Sequence, residues 1–393
     1  MTTALLGADS PAARGRYAVA AMFLINGFLI GSWAPQIPLM LSRHHITEFT
    51  LGLLILLMGA GAIASMSWTG WLINHFGSRR TVVAFGIVAC VMLPLVVLAP
   101  TIALAIPALA LFGASIGSMD VAMNANAVEV ERRLDRAVMS SSHGFWSLGG
   151  FIGAGAGGLL IAGYGAAVHV LITGGLALLL LLAATPSLIT EAHHHAGRRQ
   201  KPKYVWPKGL AIYLLGLMAL FCMIPEGAVL DWAALYLGKE LGADIAVGGL
   251  AYSFFAGAMA LMRFLGDAVR NRFGAVATMR VSGLIAAAGL LAGGLAPNAQ
   301  LAIAAFAVSG LGIANMVPIA FSAAGNQPGL SPGAGISLVT LIGYSGILVA
   351  PSTIGFAAEH IGFRVTFVTL ALFLGIVAIL AGRVAAADRG MAA

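Results

Sequence analysis

Two carboxylates lie in long apolar stretches of this 393-residue chain, where charge is otherwise scarce. Asp120 falls in SMDVAMNANAVEVE at 118–131, and Glu226 falls in CMIPEGAVLDW at 222–232. An ionised carboxylate is costly in hydrocarbon, so each residue should face protein or a water-filled cavity. A carboxylate in such a place can load and release a proton. The sequence therefore predicts proton coupling at Asp120 and Glu226.

The neighbours of Asp120 divide into two faces if the stretch is helical. Asn124 lies within about 40° of Asp120 around the helix axis, whereas Glu129 points about 180° away. We therefore expect Asn124 beside Asp120, and Glu129 beside Arg132 or Arg133. Asp120 has one alternative role. It could be a neutral residue that forms a hydrogen bond between helices and serves only in packing.

The second stretch contains a proline and a glycine on either side of its acid. Pro225 removes a backbone donor and Gly227 relaxes the helix, so we expect the chain to kink or unwind beside Glu226. Asp231 and Trp232 follow near the outer end of the same run. Asp231 is either a contact for a solute or an ordinary interfacial charge.

Other polar and aromatic residues interrupt the apolar runs and are candidate liners of a cavity. Asn26, Trp33 and Gln36 follow an i, i+7, i+10 spacing on one helix face. Amide groups beside indole rings suit a sugar or polyol, through hydrogen bonds and stacking. Taken singly, packing or interfacial anchoring explains each residue as well. The predicted solute-binding residues are Asn26, Trp33, Gln36, Asn124, His143, Trp146, Asp231, Asn315 and Tyr344.

The elements that position these residues are apolar runs of membrane length. Hydrophobic residues make up 60% of the chain and 51 residues are glycine, which is outside the range of soluble proteins. The mean hydropathy is +0.96. Runs of roughly 18 to 28 residues are long enough to cross the bilayer as helices. The twelve predicted runs are 17–40, 49–74, 81–99, 102–130, 138–163, 165–185, 209–237, 245–270, 276–297, 299–323, 333–357 and 363–384.

The fold class predicted from these runs is an all-α membrane protein with twelve transmembrane helices. With the N-terminus inside, 16 of the 21 lysines and arginines fall on the cytoplasmic side. We therefore expect a multi-pass protein of the cytoplasmic membrane with both termini cytoplasmic. These loops and the lipid bilayer explain the net charge of +7, so no nucleic-acid partner is expected.

The sequence gives no reason to expect a metal or a cofactor. His193, His194 and His195 are adjacent and lack the spacing of a defined metal site. Cys90 and Cys222 lie in separate runs with no framework for a disulfide. GASIG at 113–117 and GAGAGG at 153–158 match enzyme motifs, but both lie inside membrane runs rather than at strand-to-helix turns. We therefore expect a protein that is not an enzyme.

The chain divides into two related halves. A polar stretch at 191–208 separates an N-terminal six-helix bundle at 1–190 from a C-terminal bundle at 209–393. NHFG at 74–77 recurs as NRFG at 271–274, and GASIG at 113 is echoed by GIANM at 312. Both echoes fall at equivalent places, which indicates duplication of a six-helix unit.

The segment GWLINHFGSRRT, from Gly70 to Thr81, resembles the loop signature of the major facilitator superfamily. The resemblance extends over the whole architecture and implies two pseudo-symmetric six-helix bundles that act as a monomer. It also implies a conformational latch, with Asn74 in place of the usual acid. We assign to this latch Gly70, Asn74, Gly77, Arg79, Arg80, Glu129, Arg263 and Asp267. Arg263 and Asp267 are spaced to pair locally. Topology alone also explains the arginines.

A second resemblance concerns the pattern acid-x-Ala-x-Asn at Asp120 to Asn124, which is similar to helix 4 of fucose-permease-like members. It implies that the acid couples protons and contacts sugar. The leading hypothesis is therefore proton symport of a small polar, sugar-like solute by alternating access. No Walker A sequence is present, so we expect a gradient to supply the energy.

Three other functions stay open. The run Gly149 to Gly158 is similar to the glycine-rich signature of antiporters, which would export drugs or metabolites, but Ala154 stands where proline is typical. The others are a lipid flippase and a receptor or scaffold that transports nothing. The cost of the buried acids argues against a scaffold.

Overall fold

The computed structural model describes residues 10–134, 138–190, 209–328, 330 and 332–391. This part of the chain is helical and contains no β-strand, which confirms the predicted all-α class. Its α-helices are α1 (Pro11–Trp33), α2 (Ile37–His44), α3 (Glu48–Phe76), α4 (Ser78–Leu98), α5 (Ile102–Leu134), α6 (Met139–Ala184), α7 (Leu210–Leu241), α8 (Ile245–Gly294), α9 (Ala299–Ile313), α10 (Met316–Gly325) and α11 (Pro332–Leu380). Short 3-10 segments cover Ala34–Gln36, Thr185–Ser187 and Ala381–Met391.

Ten helical segments of the described chain are long and apolar enough to cross a membrane. Two of them, Ser141–Ser187 and Gly335–Asp388, have 47 and 54 residues. At about 1.5 Å per residue, each is more than twice the roughly 30 Å thickness of the hydrocarbon core. Each is therefore long enough for two crossings. The predicted total of twelve helices stays a prediction.

Glycines with positive φ interrupt the longest helices. Gly165 has φ 84° inside α6, Gly274 has φ 77° inside α8, and Gly362 has φ 83° inside α11. Only glycine adopts such angles without a steric cost, so these positions end one helical direction and begin another. They fall at or next to the predicted breaks between the runs 138–163 and 165–185, 245–270 and 276–297, and 333–357 and 363–384.

The same glycines carry the internal repeat. Gly77 has φ 83° between α3 and α4, and it precedes Gly274 by 197 residues, the same spacing that separates Gly165 from Gly362. A threonine hydroxyl four residues on bonds the glycine carbonyl in both loops: Thr81 Oγ1 donates to Gly77 O at 2.8 Å and Thr278 Oγ1 to Gly274 O at 2.7 Å. The duplication read from the sequence is therefore also present in backbone geometry.

The helices group into two compact units. Unit 1 contains Met1–His45 and Leu57–His194, and unit 2 contains Ile46–Leu56 and His195–Ala393. Helix α3 therefore contributes its first residues to unit 2 and the rest to unit 1. The predicted linker at 191–208 lies outside the described residues, and the predicted domain boundaries stay predictions.

Small residues let the helices of unit 1 approach closely. A Cβ on Gly27 or Gly31 of α1 would overlap backbone atoms of α6, and a Cβ on Gly149 or Gly153 would overlap backbone atoms of α1. Close helix contact through glycine is a standard way to pack helices in lipid. The glycine-rich run of α6 therefore has a packing role against α1.

Aromatic side chains fill the core of unit 2. Trp232 and Tyr236 of α7 are fully buried, as are Phe306 and Phe367 from α9 and α11. The Tyr236 hydroxyl donates to Gly293 O at 2.9 Å and so ties α7 to the end of α8. These contacts fix α7, which carries Glu226 and Asp231, against its neighbours.

Helix α7 does not unwind at Pro225, which removes one of the two outcomes expected from the sequence, and the kink stays a prediction. It is one α-helix from Leu210 to Leu241 with the proline inside it. A proline removes one intrahelical hydrogen bond, and the packing of α7 against its neighbours is enough to hold the remaining ones. The backbone breaks instead at Ala34–Gln36, where a 3-10 turn joins α1 to α2, and between Ile313 and Met316, where α9 ends and α10 begins.

Candidate functional site

Asp120 lies close to the middle of α5. The helix runs from Ile102 to Leu134, so its centre is at residue 118. Asp120 is half-buried, and its Oδ1 accepts a hydrogen bond from Asn124 Nδ2 at 3.3 Å. Asn124 Nδ2 also donates to the Asp120 carbonyl at 2.9 Å. Within the described part of the chain, no cationic side chain pairs with Asp120. An amide is therefore the neighbour that this carboxyl group has in place of a countercharge.

A buried hydrogen-bonded bridge joins three helices one turn away from Asp120. Trp146 Nε1 of α6 donates to Asn26 Oδ1 of α1 at 2.9 Å. Asn26 Nδ2 in turn donates to the Ile116 carbonyl of α5 at 3.1 Å. Asn26 is 1% exposed, and both the oxygen and the nitrogen of its amide have hydrogen-bond partners, as buried polar groups require. The bridge fixes the spacing of α1, α5 and α6.

His143 lies on the same level of unit 1 as Asp120. The His143 ring packs edge-on against Phe23 of α1, with 5.0 Å between the ring centroids. Phe23 is three residues before Asn26, and Asp120 is four residues after Ile116. Because α5 runs antiparallel to α1, going from Asn26 back to Phe23 and going from Ile116 on to Asp120 both lead about one turn toward the same end of the bundle. The structure thus brings five predicted residues into one region: Asp120, Asn124, Asn26, His143 and Trp146.

Trp33 and Gln36 lie apart from this region. Gln36 is ten residues beyond Asn26, which is about 15 Å along α1 and the turn that follows it. Trp33 is 0% exposed and Gln36 is 1% exposed. Gln36 Nε2 lies 2.7 Å from Nδ1 of His169, a buried residue of α6. His169 was missed in the sequence because a single histidine in an apolar run has no periodic signal.

Glu226 occupies the middle of α7, as Asp120 does in α5. The helix spans Leu210 to Leu241, and Glu226 is at its centre. Its Oε1 lies 3.3 Å from the Arg263 guanidinium of α8, and the two side chains are 23% and 14% exposed. This acid therefore has a countercharge, which Asp120 lacks.

Asn315 lies beside this ion pair at the break between α9 and α10. Arg263 Nε is 3.5 Å from the Ala314 carbonyl, and Asn315 Nδ2 donates to the Met262 carbonyl at 3.1 Å. The break at 314–315 thus presents its backbone and an amide to α8. The structure brings three predicted residues of unit 2 together: Glu226, Arg263 and Asn315.

The remaining predicted residues of unit 2 lie in different surroundings. Asp231 is five residues beyond Glu226 and 6% exposed. Tyr344 is partly buried on α11. The side chain of Asp267 lies outside the described part of the structure, so the predicted local pair with Arg263 stays a prediction.

Five of the residues assigned to the latch lie around the junction of α3 and α4: Gly70, Asn74, Gly77, Arg79 and Arg80. Asn74 and Arg80 are exposed, and a Cβ added to Gly70 would meet no atom within 4 Å. Arg79 donates to Thr190 Oγ1 at 3.1 Å. Arg79 therefore ties the start of α4 to the segment after α6.

Glu129 and its neighbours extend this network along the end of α5. The Glu129 carboxylate pairs with Arg132 at 2.7 Å and with Arg133 at 2.8 Å, the two partners expected from the sequence. Asn126 Nδ2 donates to Ser78 Oγ and to the Ile189 carbonyl, both at 2.8 Å. Asn126 was missed in the sequence, although it lies in the stretch that carries Asp120.

The described residues contain no group of three or more histidine, cysteine, aspartate or glutamate side chains that could hold a metal ion. His193, His194 and His195 lie outside the described residues. Cys90 and Cys222 are buried free thiols in different units.

Comparison with known proteins decides the family. The sequence model of the Major Facilitator Superfamily matches residues 18–225 and 215–390. The chain belongs to the major facilitator superfamily. It is 37% identical to an uncharacterised transporter of this type from Yersinia pestis over 354 residues, which cover 90% of the chain and 91% of the relative. It is 33% identical to the membrane protein MosC of Rhizobium meliloti, over 88% of the chain and 84% of that protein.

Solved structures show the same fold. The D-xylose-proton symporter aligns with a TM-score of 0.73 at 14% identity, over 95% of this chain and 97% of its own. A mutant of the nucleoside transporter NupG aligns with the same TM-score at 12% identity, over 94% of this chain and 99% of its own. The major facilitator fold is therefore confirmed. The chain is a multi-pass membrane protein and a secondary transporter, not an enzyme.

Proposed function

We propose that this protein is a proton-coupled symporter that carries a small polar, sugar-like solute across the cytoplasmic membrane. The observation that carries the proposal is Asp120, a carboxyl group at the middle of a membrane helix whose polar partner is an amide and not a cation. Without a countercharge, the ionised form is costly wherever water is excluded. Asp120 would therefore take a proton when its site closes and release it when water returns.

The side chains around Asp120 support a polar organic solute. Asn124, His143 and Trp146 offer an amide, an imidazole and an indole ring in one region of unit 1. Such groups recognise hydroxyl groups through hydrogen bonds and a sugar ring through stacking. We assign the same role to Asn26 and, farther along α1, to Trp33 and Gln36.

Unit 2 would take part through its own polar cluster. Glu226 is the second proposed proton-coupling acid, and its protonation would release Arg263 from the pair seen here. Asn315, Tyr344 and Asp231 are the proposed solute contacts of this unit. Alternating access would switch through the latch made by Gly70, Asn74, Gly77, Arg79, Arg80, Glu129, Arg263 and Asp267. We further propose that the protein acts as a monomer with both termini cytoplasmic.

The experiment is proton flux in liposomes that contain the purified protein and a pH-sensitive dye. Sugars, organic acids and cationic drugs are added outside one class at a time. Lumen acidification with a sugar or polyol is the expected result and would establish symport. Asp120→Asn should abolish the flux, because the amide cannot carry a proton, while the protein still folds and inserts.

Asp244→Asn provides a matched control. Asp244 is exposed and caps the start of α8, where its side chain accepts a hydrogen bond from the Val247 amide. Asparagine caps helices equally well, so this variant should keep its flux. Alkalinisation from an acid-loaded lumen with a drug would contradict symport and establish antiport. Equal flux in both variants would contradict the role of Asp120, and lipid-dependent movement without protons would indicate a flippase.

A further inference from the structure

A small, partly open cavity lies between α7 and α11 in unit 2. Its water-accessible volume is about 30 Å³, and one water needs roughly 10–15 Å³ on the same measure. The cavity therefore has room for about two water molecules. The lining residues that matter here are Gly227, Asp231, Trp232, Gly346, Ala350 and Pro351.

Two residues that line this cavity carry buried polar atoms. Asp231 is 6% exposed and Trp232 is 0% exposed. Within the described residues, neither Asp231 Oδ1 nor Trp232 Nε1 makes a hydrogen bond. A buried acceptor and a buried donor left in this state each destabilise the fold. Water in the cavity would satisfy both atoms, because it donates and accepts.

The charged and titratable groups around Asp231 are already paired or lie on other faces. Glu226 is on the same helix but pairs with Arg263. Tyr252 of α8 is close enough to interact electrostatically with Asp231 and with that pair, but it is neutral as a phenol.

The charged and titratable groups on α3 and α11 also have partners other than Asp231. Glu48, at the start of α3, pairs with Lys239. On α11, Glu359 accepts a hydrogen bond from the Phe49 amide, and His360 bonds the Phe356 carbonyl. Tyr344 precedes the cavity residues on α11. None of the described cations therefore neutralises Asp231 in this packing.

We propose that Asp231, Trp232 and this cavity form a further protonation site in unit 2, separate from the Glu226–Arg263 pair. Asp231 is neutral while α7 and α11 pack as seen here, with its proton shared with water in the cavity. When bulk water enters between the two helices, the carboxylic acid gives its proton to a water molecule, leaving a carboxylate and a hydronium ion. This proposal rests on the proposed symport and deepens it, because it links proton release to the separation of α7 from α11.

Gly227 explains how the cavity stays open. It lies one turn before Asp231 on the same helix face, and a Cβ added there would meet no atom within 4 Å. An alanine would therefore fit without strain and would take space from the water. Glycine also has a lower helix propensity than alanine, so it destabilises α7 locally. Space for water beside Asp231 is the compensating feature that the structure shows.

The test is infrared difference spectroscopy against pH on the purified full-length protein in lipid bilayers, without any solute. Protonated carboxylic acids give a carbonyl-stretch band that carboxylates lack. Asp231→Asn should remove one component of this band, while Asp244→Asn should keep it. A spectrum of Asp231→Asn that superimposes on the wild-type spectrum would overturn the proposal.

Two further variants keep the carboxyl group and so do not depend on the folding of Asp231→Asn. Gly227→Ala should shift the position or the pH midpoint of the same component, because the methyl group displaces water. Trp232→Phe should shift its position by removing the indole donor. An unchanged band in both would overturn the hydrated site. The infrared measurement uses no solute, so it does not depend on transport. If the Asp231 band behaves as expected but no solute drives proton flux in liposomes, the symport proposal is refuted and the Asp231 site is retained.

Discussion

The pair between Glu226 and Arg263 gives the sharpest quantitative prediction. Their N–O distance is 3.3 Å, and the side chains are only 23% and 14% exposed. Coulomb's law gives about 5 kcal/mol for this distance at an effective dielectric constant of about 20. Desolvation of both groups opposes this attraction, so the net value of the pair is smaller. Removing one partner is different, because it leaves the other charge uncompensated.

We therefore expect Glu226→Gln and Arg263→Gln each to lower the free energy of unfolding by about 2–4 kcal/mol. The double variant should recover about 2 kcal/mol relative to the sum of the single effects, because neither charge is then left alone. A double-mutant cycle measures this coupling. It compares the reversible unfolding of the wild type, the two single variants and the double variant in mixed detergent micelles. Arg263 also approaches the Ala314 carbonyl, and the cycle removes that contribution from the comparison. Single effects that add to within about 0.5 kcal/mol would refute the reasoning.

Two further predictions concern stability. Gly77→Ala should destabilise the protein by about 1 kcal/mol or more, because Gly77 has φ 83°. Gly70→Ala should be neutral or stabilising, because Gly70 lies in a helix and has free space around it. Thermal unfolding of the two variants measures the contrast. Trp146→Phe should cost about 1–3 kcal/mol by leaving Asn26 Oδ1 without its donor, while Trp68→Phe, at a residue that is 75% exposed, should change little in the same unfolding measurement.

The sequence was informative wherever the signal is local. Run length and hydropathy predict membrane helices because lipid leaves few alternatives for the backbone. The breaks near Gly165 and Gly362 were predicted for the same reason, since a run that exceeds the bilayer must turn. The central positions of Asp120 and Glu226 follow from counting residues along a helix.

Partners that are distant in sequence could not be predicted in this way. The structure pairs Arg263 with Glu226, 37 residues away, a contact that no local spacing indicates. Trp146 and Asn26 are 120 residues apart and meet through the packing of α1 against α6. Pro225 misled for the opposite reason. Its effect was inferred from the local chain alone, while α7 stays one α-helix through the proline.

The repeat preserves the backbone and not the chemistry. Gly165 and Gly362 adopt the same conformation 197 residues apart, yet four residues later one half has His169, bonded to Gln36, and the other has Thr366, bonded to the Gly362 carbonyl. The acids diverge in the same way. At the 197-residue spacing the residues that match Asp120 and Glu226 are Val317 and Leu29, and at the 199-residue spacing of GASIG and GIANM the residue that matches Asp120 is Ile319.

A duplicated scaffold with unduplicated carboxylates has a mechanistic consequence for the proposed symport. Asp120 is held by an amide, and Glu226 is held by a guanidinium group. Protonation of Asp120 removes an unbalanced charge, whereas protonation of Glu226 creates one on Arg263. The two half-cycles of alternating access would therefore have different electrostatic costs. We expect the two acids to control different steps, so that neutralising Asp120 blocks proton movement while neutralising Glu226 biases the resting conformation.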